Sequence, residues 1–67
     1  MYLKNKEHFN KLLRDAFRFK RKNIKNNLKG YDLEKIEEVL KKYNFDLTVR
    51  AEDLSLDVFV DISNSLN

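Results

Sequence analysis

The stretch 16–30, AFRFKRKNIKNNLKG, decides how this chain folds, because it reads either as the tail of one long helix or as a hinge between two. Upstream of it, Phe9, Leu12, Leu13, Ala16 and Phe17 keep the i, i+3, i+4, i+7, i+8 spacing of one buried stripe. Lys11, Arg14, Asp15 and Arg18 fall off that stripe and face water. Extended with the same period, the stripe takes in Ile24 and Leu28, so periodicity alone permits a single helix to Lys29. Lys20 would then lie in the middle of the apolar face, with Arg21 and Lys22 crowded beside it. Burying unpaired cations is costly, which argues for a break near Lys20 to Lys22. Asn23 then caps a new short helix whose inward pair is Ile24 and Leu28. Gly30, the only glycine, is expected as the left-handed residue that closes it.

Working outward, Met1 to Lys6 is polar apart from Tyr2 and Leu3 and reads as a lead-in segment. Asn5 is the expected N-cap of the first helix, which puts His8 at its third position, at the surface. Beyond Gly30 and Tyr31, Asp32 is a good N-cap and Glu34 suits the first turn of a third helix. Leu33, Ile36, Val39, Leu40 and Tyr43 form its inward stripe, and Lys41 and Lys42 complement its C-terminal dipole. Asn44 fits a left-handed stop. Phe45, Leu47 and Val49 alternate like a strand, but a lone strand has no partner here, so 45–50 is read as an ordered loop. Ser55 caps a last helix, with Asp57 in its first turn. Leu56, Phe59, Val60, Ser63 and Leu66 keep the helical spacing, and Val58 and Ile62 widen the face. With no proline to interrupt it, the chain predicts an all-α fold, a small single-domain bundle of about four short helices spanning 1–67.

Composition narrows the function. A chain of 67 residues has room for one core and a stability of about 3–5 kcal/mol without staples. It has no cysteine and one histidine, which excludes disulfides and thiolate metal sites and argues against a histidine-based zinc or catalytic cluster. No apolar run approaches the roughly 18 residues of a bilayer span, and no signal-peptide pattern is present, so a soluble cytoplasmic protein is expected, without a membrane partner.

The net charge of +3 conceals a division. Residues 1–30 hold ten Lys or Arg against Glu7 and Asp15, whereas residues 31–67 hold four against nine acids. Such a split suits a polyanion on one side, or simply a solvated face in a lysine- and asparagine-rich sequence. The candidate contact residues are Arg18, Lys20, Arg21, Lys22, Lys25 and Lys29. Phosphate contacts from such side chains give affinity and register without reading bases. A helix starting at Asn23 would add free backbone amides beside the triplet, and Asn26 and Asn27 either bond sugar–phosphate oxygens or, for Asn27, cap locally. Phe17 and Phe19 flank the cluster, and aromatics among cations can stack on unpaired bases. Their place on or at the edge of the stripe assigns both to the core instead, and Tyr31 to packing. Arg50 is expected to bond loop carbonyls or to pair with a carboxylate such as Glu52.

The acidic residues Glu34, Glu37, Glu38, Asp53, Asp57 and Asp61 all fall at caps or outward helix positions, with no nucleophile or base beside them. No catalytic, cofactor-binding or metal-binding residue is therefore assigned to this chain.

The order of these features resembles one family. Ala16-Phe17, Lys20-Arg21-Lys22, Ile24 and Asn26-Asn27-Leu28-Lys29-Gly30 are similar to the C-terminal domain of the ribosomal RNA small-subunit adenine dimethyltransferases, the kasugamycin-sensitivity methyltransferases. That family shows an Ala-Phe pair, an Arg-Arg-Lys triplet, Thr-Leu-Arg and an Asn-X-Leu ending near glycine. Here Lys20 stands at the first arginine, Asn23 at the threonine, Ile24 at the leucine and Lys25 at the next arginine. Arg50-Ala51-Glu52-Asp53-Leu54-Ser55 likewise resembles the family's Arg-Ala-Glu-X-Leu-Ser. The resemblance covers roughly Phe9 to Leu66.

The resemblance implies a small helical domain that follows a Rossmann-like methyltransferase domain. The whole enzyme moves methyl groups from S-adenosylmethionine to two adjacent adenosines of small-subunit rRNA during ribosome biogenesis. For the domain itself the resemblance implies docking on that rRNA through Lys20, Arg21 and Lys22, and a monomer is expected. Arg18, Lys25 and Lys29 are added from charge and position. The family's glycine-rich cofactor loop and Asn-Leu-Pro-Tyr type motif have no counterpart here, so catalysis and S-adenosylmethionine are expected to belong to the parent enzyme's other domain. Two other classes remain open: a free-standing helical protein-interaction module working through its acidic half, and a helix-turn-helix DNA binder.

Overall fold

The computed structural model describes residues 3–67, so Met1 and Tyr2 of the lead-in segment lie outside it. Among the described residues there are four α-helices, α1 (Lys6–Ala16), α2 (Ile24–Asn27), α3 (Leu33–Lys42) and α4 (Leu56–Leu66), one 3₁₀ turn (Ala51–Asp53) and no strand. The all-α expectation holds, and the expected break after the first helix is present. Helix α1 ends at Ala16, a few residues before Lys20, with Phe17 as its C-cap.

Each helix begins where a short polar side chain can replace a missing backbone partner. Asn5 accepts from the His8 amide, Asn23 from the Asn26 amide and Asp32 from the Lys35 amide. Ser55 occupies the N-cap of α4, but its side chain makes no capping bond. Asn44 is left-handed as expected, with φ 65°. Gly30 is not, because no glycine has positive φ. The α2 segment instead ends through Leu28, whose amide donates to the Ile24 carbonyl, and Tyr31 donates back to the Leu28 carbonyl. The turn therefore closes by ordinary right-handed geometry and has no need of glycine's freedom.

Helix α4 organises the core. Val58, Phe59, Val60, Ile62 and Ser63 are all buried, so it is apolar around most of its circumference and must be enclosed. It packs against both α1 and α3, and α2 packs against α1. Phe9, Leu12 and Ala16 from α1, Ile24 from α2, Leu28, and Ile36, Val39 and Leu40 from α3 complete the interior. Three residues depart from the expected inward set. Leu56 is 53% exposed, at the first turn of α4 ahead of its packed stretch. Phe17 and Phe19 are 45% and 50% exposed, because α1 stops before either can continue the stripe.

Polar links tie the helices together. Tyr31 donates to Asp15 Oδ2 at 2.6 Å, and burial together with that hydrogen bond pushes the phenol up to about 12. Tyr43, at the end of α3, donates to Asp61 of α4. His8 Nδ1 lies 3.0 Å from the hydroxyl of Ser63, the buried polar side chain of α4, and its ring meets Tyr31 edge to face.

The 45–50 segment is an ordered loop. Phe45, Leu47 and Val49 are half-buried against the core, and Asp46 accepts from both the amide and the hydroxyl of Thr48.

A Cβ at Gly30 would meet no atom within 4 Å. Gly30→Ala should therefore stabilise the fold by about 0.4–1 kcal/mol, by narrowing the unfolded ensemble. Urea unfolding measures this, and a loss of stability would show that the turn needs a left-handed residue after all.

Candidate nucleic-acid interface

The basic stretch 17–23 leaves α1 as a turn, and that turn is held by one side chain from α2. Asn27 Nδ2 lies 2.9 Å from the Ala16 carbonyl, 3.0 Å from that of Phe19 and 3.3 Å from that of Lys22. Ending a helix orphans its last carbonyls, and a carboxamide amino group placed among them satisfies that need. Asn27 Oδ1 is buried with no partner among the described residues, so the three carbonyls alone fix the amide's orientation. Of the two roles open to Asn27, the local one is realised, and its amino group faces the protein's own backbone.

The amides at the start of α2 are not free. Ile24 donates to the Val49 carbonyl at 2.8 Å and Lys25 to the Leu47 carbonyl at 3.0 Å, while Asn26 is capped by Asn23. The expectation that this helix start offers amides to an anion is therefore wrong. The half-buried 45–50 loop has taken those donors, and a single-turn helix keeps its shape because both ends are anchored.

What remains available is side-chain charge. Arg18, Lys20, Arg21 and Lys22 are exposed on the turn, Lys25 on α2 and Lys29 just after it. Ion pairs among the described residues join Lys41 to Glu37 at 3.8 Å and Arg50 to Glu52 at 4.0 Å, and neither engages any of the six. The Arg50 pair has the expected partner, but both side chains are more than half exposed, so it adds little stability.

Arg18 and Lys22 gather over the Phe19 ring, with the guanidinium carbon 5.4 Å and the ammonium 5.3 Å from its centroid. Phe17 leans on Phe59 with ring centroids 5.7 Å apart and leaves its other side open. Between the two phenylalanines lies a depression of about 160 Å³, floored by Ala16 and Ala51 and rimmed by Lys20, Lys22 and Glu52. Arg18 and Lys22 thus converge on one aromatic and Lys20 lines the recess beside it, whereas Arg21, Lys25 and Lys29 extend the exposed charge along the chain.

The sequence relatives point to one enzyme. Over 62 residues, 91% of this chain, it is 40% identical to the ribosomal RNA small subunit methyltransferase A of Ureaplasma urealyticum serovar 10. It is 48% identical over 56 residues, 84% of the chain, to that of Saccharophagus degradans. Against that of Borreliella burgdorferi it is 40% identical over 68 aligned positions, 97% of the chain. The chain belongs to the ribosomal RNA small subunit methyltransferase A family. No protein-family model matches it. It spans 22%, 20% and 23% of the length of those three methyltransferases, about a fifth of each.

Sequence reasoning missed the aromatic exposure, and it offered local capping by Asn27 without the three carbonyls that the side chain gathers. An asparagine one turn past a run of helix-ending cations was the available sign of the clamp, but only the path of the turn shows which carbonyls it reaches. Asn27→Ala should lose about 1–3 kcal/mol of stability. Asn27→Asp, which sets a carboxylate against three carbonyls, should lose more than alanine does. Thermal melts of the two variants check this order, and an aspartate variant as stable as the wild type would refute the clamp.

Proposed function

We propose that this chain is the C-terminal rRNA-docking domain of an S-adenosylmethionine-dependent small-subunit rRNA adenine dimethyltransferase, whose whole activity dimethylates two adjacent adenosines during ribosome biogenesis. In this reading Lys20, Arg21 and Lys22 meet rRNA phosphates, and Arg18, Lys25 and Lys29 broaden the contact. The observation that carries it is a set of exposed cations, engaged by no described carboxylate, on a turn fixed from below by Asn27. Fixing the backbone in advance lowers the ordering cost of binding, and counterion release from the RNA supplies the affinity. Ribosomal RNA, which the relatives' names give as what they methylate, is a polyanion that such a surface fits.

The residues present do not fit S-adenosylmethionine. The depression beside Phe19 is about half the roughly 300 Å³ at which drug-sized sites begin, and its lysine rim disfavours a sulfonium cation. Catalysis is accordingly assigned to the remainder of the parent enzyme, and this chain's work is binding. A groove-reading DNA module is not favoured. Helix α2 is a single turn, and α3 presents Glu34 and Glu38 among its exposed residues.

Replacing Lys20, Arg21 and Lys22 together with alanine should leave the melting temperature nearly unchanged, since all three are exposed. Affinity for a small-subunit rRNA fragment should fall by about tenfold or more at low salt. The slope of log K against log salt should shallow by about two to three. An unchanged affinity and slope would remove the triplet from the interface.

A further inference from the structure

We infer that the depression between Phe17 and Phe19 receives one unpaired nucleobase of the bound RNA, stacked on aromatic carbon while its flanking phosphates lie on Lys20 and Lys22. This rests on the docking reading above and extends it from backbone contact to contact with a base.

A single exposed phenylalanine is ordinary on a protein surface. Here two stand two residues apart, each about half exposed, on the walls of one recess. Both stand past the end of α1, on a turn whose carbonyls are held by Asn27, so they are fixed at the surface. The floor is aliphatic, provided by the buried Ala16 and Ala51, and offers no strong hydrogen-bonding side chain. Such a floor and walls suit a flat ring system and do not suit a phosphate or a sugar.

The size points the same way. A recess of about 160 Å³ is too small for a folded element or a complete cofactor, yet open enough for one planar group. Charge then orients it. Lys20 and Lys22 stand on the rim with Glu52. A phosphate is drawn to the lysines and repelled by the carboxylate, so the flanking phosphates seat on Lys20 and Lys22. Glu52 offers the same recess an acceptor for the amino group of a base such as adenine. Arg18 and Lys22 lie over the Phe19 ring, so a base that stacks on that face displaces these exposed cations toward its flanking phosphates. Stacking of this kind is tolerant of sequence and is a recurrent means of holding single-stranded RNA.

The test compares two ligands of equal charge on the 67-residue chain: oligoadenylate of about six nucleotides, and an abasic ribose–phosphate strand of the same length. Oligoadenylate should bind about tenfold more tightly. The Phe19→Leu variant, which keeps an apolar group at an exposed position, should lose that preference while its salt slope stays that of the wild type. Equal binding of the two strands by the wild type would overturn the pocket and leave the docking reading standing. Failure of both strands, with the rRNA fragment still bound, would also overturn the pocket alone. Loss of the rRNA fragment as well would overturn the docking reading with it.

Discussion

The carboxamide of Asn27 is the constraint on which the working surface depends. It gathers the carbonyls of Ala16, Phe19 and Lys22, the points at which the chain leaves α1, turns and approaches α2. Without that clamp, a turn rich in mutually repelling cations has little reason to adopt one path. With it, the end of α1 is satisfied, Phe17 and Phe19 are directed outward, and Arg18, Lys20 and Lys22 share one aromatic neighbourhood. Asn27 is positioned in turn by its own helix, a single turn that survives because Ile24 and Leu28 are fully buried and because Val49 and Leu47 take its first amides.

This arrangement decides what kind of recognition the surface can perform. The start of α2 is sealed by the 45–50 loop, so backbone amides contribute nothing to anion binding there. In the proposed docking role, attraction would come from long, exposed side chains, a mode that is strong, salt-sensitive and indifferent to sequence. The acidic half is put to other uses. Asp32 caps α3, Asp61 accepts from Tyr43, Asp46 orders its loop, and Glu37 pairs along α3 with Lys41. Part of the acidic charge is thus engaged within the fold, whereas the six cations of 18–29 are left open.

Much of the fold was legible because it follows local rules. Stripe spacing identified α1, α3 and α4, and Asn5, Asn23 and Asp32 marked the starts of α1, α2 and α3 through capping chemistry that is written within four residues. The break after α1 was legible from the cost of placing Lys20 in an apolar stripe, although its position, at Ala16, was not. The misreadings share a cause. Phe17 and Phe19 were assigned inward by extending a helical period past the point where the helix stops. Gly30 was assigned a left-handed turn on residue type, whereas the turn closes through the Leu28 and Tyr31 amides. The α2 amides were taken as open because the loop that covers them lies more than twenty residues away in sequence. The six cations were legible as a group, but their grouping around Phe19 depends on the clamp.

The RNA-binding face proposed for this chain is one clamped turn, and not its acidic half. Amide chemical-shift mapping of the isotope-labelled chain during titration with a small-subunit rRNA fragment tests it most directly. Perturbations are expected to concentrate in 17–29 and 50–52, with the outward residues of α3, Glu34, Glu38 and Lys41, left unmoved. Perturbations concentrated on α3 and α4, with the 17–23 turn silent, would contradict it.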